Sequence, residues 1–220
     1  HVEQFAAVVQ SIPLCANADS AGPSRKNHAI VPLVGLLEKQ RGEIEAIQHV
    51  YGLARSQVFA DIVRQIVEAD AVFIIGIQST RGILNAFHSH LEYIRPKVYY
   101  VDGLSGIYAE TLNSGFAKPY AIISDFRAYS AVTQTFCEVA NANALPLALV
   151  TDLQCPWARD YPLDLLQLKT DVGQFWDSLA PLTCLFNLMV SAVAEGYGER
   201  LDERLAKNRA LQEAFGQFES

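Results

Sequence analysis

The sequence predicts an α/β fold: a three-layer αβα sandwich around a five-stranded parallel sheet, with extra helices at both ends. Three observations carry this expectation. Residues 71–77 (AVFIIGI) form a short, unbroken apolar run rich in β-branched side chains, as a strand buried on both faces does. Four further apolar runs follow it and alternate with stretches of helical periodicity, as βαβ units with right-handed crossovers require. The chain has 220 residues, 50% hydrophobic and 19% charged, which is enough to bury one core.

The elements follow in order. Residues 1–10 read as the tail of a helix, and 11–27, rich in Ser, Ala, Asn, Gly and Pro, as a linker. A tail and linker at this point suggest attachment to a further N-terminal domain, so 1–37 are expected to be appendage and 38–220 the domain proper. Residues 38–51 are predicted helical, with Ile44, Ile47 and Tyr51 on one face. Residues 57–69 repeat Val58, Ile62, Ile66 and Ala69 at helical spacing, with Asp61, Arg64 and Glu68 facing away.

After the first strand, further strands are expected at 97–101, 120–124, 145–150 and 163–168. Helices are expected at 81–94, 104–116 and 129–143, with a short turn near Trp157. Asp177 and Ser178 are placed to cap a buried helix over 179–195, and Gly196 and Gly198 to break it. A last charged helix carries Leu201, Leu205, Leu211, Phe215 and Phe218 as one apolar stripe that needs cover.

Composition excludes several functions. A net charge of −7, without a cluster of Lys and Arg, does not suit a phosphate-backbone grip, so this chain alone is not expected to hold DNA. Cys15, Cys137, Cys155 and Cys184 lie far apart with no CxxC pair; they read as reduced thiols of a cytoplasmic protein. The first ten residues carry acids and amides where a secretory leader is basic, so no leader is expected. The longest apolar run, 179–194, falls short of the roughly 20 residues of a bilayer span. No Walker loop, GxSxG, HExxH or dinucleotide GxGxxG occurs, and no spacing suggests a metal or a cofactor.

Open parallel sheets bind ligands beyond the carboxyl ends of their strands, so the candidate site lies in the loops there. The first loop is Gly76-Ile77-Gln78-Ser79-Thr80-Arg81-Gly82. Ser79 and Thr80 offer hydroxyls beside free helix N–H groups, and Arg81 adds a charged donor, together an anion site. Taken alone, the same residues equally describe helix capping, which the local pattern favours. After the third strand come Ser124-Asp125-Phe126-Arg127-Ala128-Tyr129-Ser130. Here Arg127 and Ser130 are candidate anion ligands, and Asp125 a candidate acceptor for sugar hydroxyls; alternatively Asp125 and Arg127 are solvated loop charges. Thr151 and Asp152 end the fourth strand, to touch a ligand or close a turn. His88 and Glu92 form an i,i+4 pair, with His90 between them, that reads as helix surface more readily than as acid–base machinery.

These loops in this order resemble the sugar isomerase (SIS) domain, and more closely the C-terminal domain of RpiR/MurR-type regulators. The carriers are residues 72–80 (VFIIGIQST), 123–130 (ISDFRAYS), 149–152 (LVTD) with 156–158 (PWA), and 175–178 (FWDS). The resemblance spans 57–218, nearly three quarters of the chain. It implies a flavodoxin-like sheet, assembly into dimers or tetramers through SIS helices, and phosphosugar binding by Ser/Thr-rich loops. It also implies an N-terminal helix-turn-helix domain through which such regulators hold DNA. Two departures stand out. Gln78 replaces the second Gly of the usual G-x-G-x-S loop, with Thr80 at its Ser. The usual S-x-S-G-x-T loop becomes residues 125–130 (DFRAYS), similar to a branch with Phe-Arg-x-Tyr-Ser.

The expected function is therefore an effector-sensing, oligomerising domain of a bacterial transcription regulator, not an enzyme. It would bind a small sugar or phosphosugar through Gln78, Ser79, Thr80, Arg81, Asp125, Arg127, Ser130, Thr151 and Asp152. The alternative is a phosphosugar isomerase or lyase on the same fold, with Glu110, Glu138, Glu195 or His88 as the base. A third reading is an oligomerisation module without ligand.

Overall fold

In the computed structural model, residues 35–102 and 108–216 are described and fall in one compact unit. The helix tail and linker expected at 1–27, the start of the helix expected at 104, and Phe218 lie outside them. Each strand comes from an apolar run bounded by turn or polar residues. The strands are β1 (Ala71–Gly76), β2 (Val98–Val101), β3 (Pro119–Ser124), β4 (Leu147–Asp152) and β5 (Asp164–Leu168). All pair in parallel, in the order β2-β1-β3-β4-β5.

Side-chain alternation along the strands splits the interior in two. Val72, Ile74, Ile122, Val150 and Leu166 face one layer, together with Ile62, Leu84 and Met189. Phe73, Ile75, Ala121, Ile123 and Leu149 face the other, with Phe136, Cys137 and Trp157. The first layer contains α1 (Leu36–Leu53), α2 (Gln57–Glu68), α3 (Arg81–Ile94) and α6 (Ala180–Tyr197); the second contains α4 (Tyr108–Leu112) and α5 (Ala131–Ala142). Helices on both faces are what unbroken apolar strands demand. A final helix, α7 (Glu199–Ala214), follows a break at Gly198, whose φ of 51° lies in the left-handed region that glycine enters freely. No described helix is long and apolar enough to cross a membrane.

Four expectations are corrected. In α1 the buried residues are Ala46 and Val50, whereas Ile44 and Tyr51 are exposed. Polar ties choose this face: His49 meets the Gln167 carbonyl, and Glu45 pairs with Lys169 at 2.6 Å. In α2, Phe59 takes the place expected of Val58, because Ser56 caps the helix and sets its phase. The described helix before β3 is only Tyr108–Leu112; the chain then turns at Gly115, with φ 71°. Gly196 lies inside α6, where a Cβ would stand 3.0 Å from Val67 on α2, so it allows close packing rather than a break.

The last helix departs most from its periodicity. Leu201 packs against the core, but Leu205, Leu211 and Phe215 are exposed. Polar groups hold α7 instead. Arg204 donates to the carbonyls of Glu92, Tyr93 and Arg95, the unsatisfied end of α3. Buried Arg95 does the same for α2, donating to the carbonyls of Ile66 and Ala69.

Candidate functional site

The strand order reverses direction between β1 and β3, so the loops after these two strands flank the crevice where open sheets take ligands. Gly76 brings α3 unusually close to the end of β1: a Cβ there would lie 2.7 Å from the Arg81 Cα. Gln78 then adopts φ 47°, the backbone region a Gly would favour, followed by a single 3₁₀ turn, Gln78–Thr80. Gln78 thus stands where the resemblance leads one to expect Gly, in a backbone conformation that Gly enters freely. The Gln78 side chain uses that position to donate to the Ala128 carbonyl at 3.0 Å, bridging the two loops.

Thr80 is fully buried. Its hydroxyl accepts from the Ile77 N–H at 3.0 Å and lies 2.7 and 2.8 Å from the carbonyls of Ile77 and Ser124. It fastens the first loop to the end of β3 and has no capacity left for an anion. Ser79, Gln78 and Arg81 are exposed, and no side chain caps α3. The Arg81 N–H donates to the Gln78 carbonyl and closes the 3₁₀ turn, so the groups offered at this helix start are the exposed side chains of Gln78, Ser79 and Arg81.

The second loop is built on two buried carboxylates. Asp125 Oδ2 accepts from the Ser130 N–H at 2.7 Å and the Thr133 hydroxyl at 2.6 Å, while its Oδ1 is buried with no partner. Burial pushes the Asp125 carboxyl above its ordinary range, against the lowering effect of those bonds. Asp152 accepts from the Arg127 N–H at 3.0 Å, the Tyr129 hydroxyl at 2.7 Å and the Gln154 N–H at 2.8 Å. Thr151 is buried and donates to the Asp125 carbonyl at 2.8 Å. Ser130 caps α5 by accepting from the Val132 N–H, which leaves its own proton available.

The nine predicted residues therefore separate into two sets. Gln78, Ser79, Arg81, Arg127 and Ser130 keep exposed or half-exposed groups along the two loops. Thr80, Asp125, Thr151 and Asp152 are buried and shape the loops from beneath. Asp125 anchors its own loop through Oδ2, while its Oδ1 has no partner.

Arg127 holds a position that spacing does not suggest. Its Nη2 and Nε donate to the Asp177 carboxylate at 2.7 and 3.2 Å, and its Nη1 to Gln154 Oε1 at 2.9 Å. Asp177 is therefore no helix cap. Ser178 takes that task, accepting from the Ala180 N–H at 3.2 Å. Nothing in the sequence pairs Arg127 with a residue fifty positions on; only the fold does.

The remaining candidates stay apart from the crevice. His88 lies 3.7 Å from Glu92 and beside Tyr100, a pair on the helix surface. Glu110, Glu138 and Glu195 are exposed on three different helices. Trp157 is buried edge-on to Tyr129. Cys137, Cys155 and Cys184 are free thiols, and burial pushes Cys137 up to about 12. Among the described residues no group of three His, Cys, Asp or Glu side chains is placed to hold a metal.

No family model matches the sequence, and no curated protein matches it. Solved structures do resemble the chain. The sugar isomerase domain of an RpiR transcription factor from Sphaerobacter thermophilus has a TM-score of 0.70 at 18% identity, over 80% of this chain and 98% of that one. The Vibrio vulnificus NanR protein complexed with ManNAc-6P has a TM-score of 0.65 at 13% identity, over 80% of this chain and 68% of that one. A Methanococcus jannaschii protein, whose own structure infers a molecular function of 3-hexulose-6-phosphate isomerase, has a TM-score of 0.55 at 12% identity, over 77% and 96%. This chain is thus similar in fold to sugar isomerase domains: a five-stranded, all-parallel sheet between helical layers.

Proposed function

We propose that this chain senses a small phosphosugar, which it binds in the crevice between the loops after β1 and β3, and that it belongs to a transcription regulator. One observation carries the reading. At the point where strand order reverses, Gln78 ties the two loops together, and Ser79, Arg81 and Ser130 line them beside the uncapped start of α3. Hydroxyls and a guanidinium beside the positive end of a helix suit a phosphate. The likeness supports the ligand class, since NanR holds ManNAc-6P and the function inferred for the Methanococcus jannaschii protein also concerns a sugar phosphate. It supports the sensing role through the RpiR and NanR regulators.

Sensing is favoured over isomerisation by the carboxylates nearest the crevice. Asp152 is buried and occupied by three donors, and Asp125, though its Oδ1 is unpartnered, is shut away from solvent beneath its loop, which does not suit moving a proton on a substrate in the crevice. In this reading the protein is cytoplasmic, needs no cofactor, meets DNA through a separate helix-turn-helix domain, and assembles as a homodimer or homotetramer. We place the subunit contact on α1 and α6, where Tyr51, Cys184, Asn187 and Leu188 line an open hollow of about 570 Å³.

The test is a thermal-shift screen against pentose and hexose phosphates, the free sugars and inorganic phosphate. A ligand at a hundred times its dissociation constant adds about 2.7 kcal/mol to stability. The expected hit is a sugar phosphate whose effect is lost in Ser79→Ala and Arg81→Ala. Turnover of a sugar phosphate by the purified chain would overturn the sensing role in favour of an isomerase or lyase.

A further inference from the structure

The guanidinium of Arg127 is held as a phosphate would hold it, but by a carboxylate of the same chain. Two of its donors fork onto Asp177 at 2.7 and 3.2 Å, and Asp171 stands 3.9 Å away. A parallel two-point fork of this kind is how Arg takes phosphates as well as carboxylates. The pair sits at the carboxyl ends of the strands. Arg127 precedes Ala128, whose carbonyl receives the Gln78 bridge between the two crevice loops. Its side chain is 46% exposed, that of Asp177 11%. The cation is thus open to solvent, while its partner anion is tucked beneath it.

Resting on the phosphosugar reading above, we propose that Arg127 is the anion receptor of the site and Asp177 its built-in competitor, so that a ligand enters by exchanging its phosphate for the Asp177 carboxylate. The guanidinium side of the pair is open to solvent, and Asp177 keeps the Thr170 hydroxyl once Arg127 leaves it, which lowers the threshold of the exchange. Asp177 also sets the specificity. A carboxylate ligand offers Arg127 nothing it lacks. A phosphate monoester brings a charge of about −1.5 to −2 and three acceptor oxygens, and so displaces it. Neutral sugars leave the pair closed.

The exchange has a mechanical consequence, because Asp177 is one tie of the segment between β5 and α6. Thr170 donates to the same carboxylate at 3.2 Å, and Gln174 and Ser178 donate to Glu43 of α1 at 2.8 and 2.9 Å. Between these ties Phe175 and Trp176 stand out into solvent, 92% and 77% exposed. Freeing Asp177 loosens this aromatic tip and the grip of the segment on α1. Occupancy at β1 and β3 is thereby reported at a helix that does not touch the ligand.

The experiment measures affinity for a panel of pentose and hexose phosphates and for inorganic phosphate by calorimetry. The proteins are the whole chain and its Asp177→Asn, Asp177→Ser and Arg127→Gln variants, each confirmed folded by its melting curve. Asp177→Asn and Asp177→Ser are expected to bind about two- to fivefold more tightly, the upper part of the range that a solvent-screened ion pair represses. Arg127→Gln is expected to lose binding. Chymotrypsin should cut after Phe175 and Trp176 faster when a phosphosugar is added to the wild type, and equally fast in Asp177→Asn without one. If both folded Asp177 variants bind no more tightly, or Arg127→Gln binds as well as wild type, the exchange is wrong while the phosphosugar site stands. If no variant and no wild-type sample binds any phosphosugar or phosphate, site and exchange fall together.

Discussion

The Tyr129 hydroxyl donates to Asp152 at 2.7 Å, which pins the second crevice loop to the end of β4. The bond joins two unlike parts of the structure: a partly exposed loop at the top of the sheet, and a strand whose six residues are all buried. Removing the hydroxyl in Tyr129→Phe leaves the ring against Trp157 but takes one partner from a buried carboxylate. The expected loss is about 1 kcal/mol of stability. Urea unfolding measures it, and an unchanged midpoint would show that Gln154 alone satisfies that oxygen.

Thr80 and Ser79 are neighbours with opposite expected behaviour. Thr80→Val keeps the shape and the backbone bond from the Ile77 N–H to the Ser124 carbonyl, but loses the hydroxyl's bonds to both, at about 1 kcal/mol. Ser79→Ala touches an exposed hydroxyl and should leave the melting temperature within experimental scatter while weakening ligand binding. Melting curves and titrations on the two variants form the pair of measurements, and a destabilised Ser79→Ala would contradict it.

Asp125 gives a pH dependence with a definite sign. Its folded carboxyl titrates above the unfolded value of about 3.9, so its contribution to stability is largest below that value and is lost as pH rises through the folded one. Asp125→Asn removes this group. The melting temperature of the wild type minus that of the variant is therefore expected to grow as pH falls from 7 toward 4. Parallel curves across that range would mean that the carboxyl is not raised. Asp125→Ala is a different case: it orphans both the Ser130 N–H and the Thr133 hydroxyl, and should be destabilising at every pH.

Arg204 closes the end of α3 from a helix more than a hundred residues later in the chain. Arg204→Ala should cost about 1–2 kcal/mol and expose the last turn of α3, because carbonyls bonded to a charged donor lose it. Hydrogen exchange is the suitable readout, with faster exchange expected across α7 first.

Much of this was legible in the sequence. The five strands, read as apolar runs, appear within about two residues of their expected ends, because burial on both faces forces a composition that little else has. The position of the loops after β1 and β3 was legible for the same reason: the end of a buried strand must lie at the sheet top. The roles within those loops were not. Thr80 and Ser79 look alike as residues, and only the closeness of Ser124 decides that one is buried and the other open. Arg127 and Asp177 carry no periodic signal, since their meeting depends on β3 and the start of α6 being brought together. The stripe Leu205, Leu211 and Phe215 misled because periodicity records which residues share a face, not which face is covered. Arg204 and its carbonyl partners chose otherwise.

One of the helices touches both of these regions. α3 begins at Arg81, in the crevice, and ends at Ile94, beneath the guanidinium of Arg204. Fourteen residues at 1.5 Å each make a rod of about 21 Å. A rod transmits displacement without needing to bend, and its far end is gripped by the helix that carries Leu205, Leu211 and Phe215 on its open side. Whatever pulls on the first turn of α3 also pulls on the seat of those three side chains. One rigid element thus joins the loop after β1 to the apolar outer surface of α7.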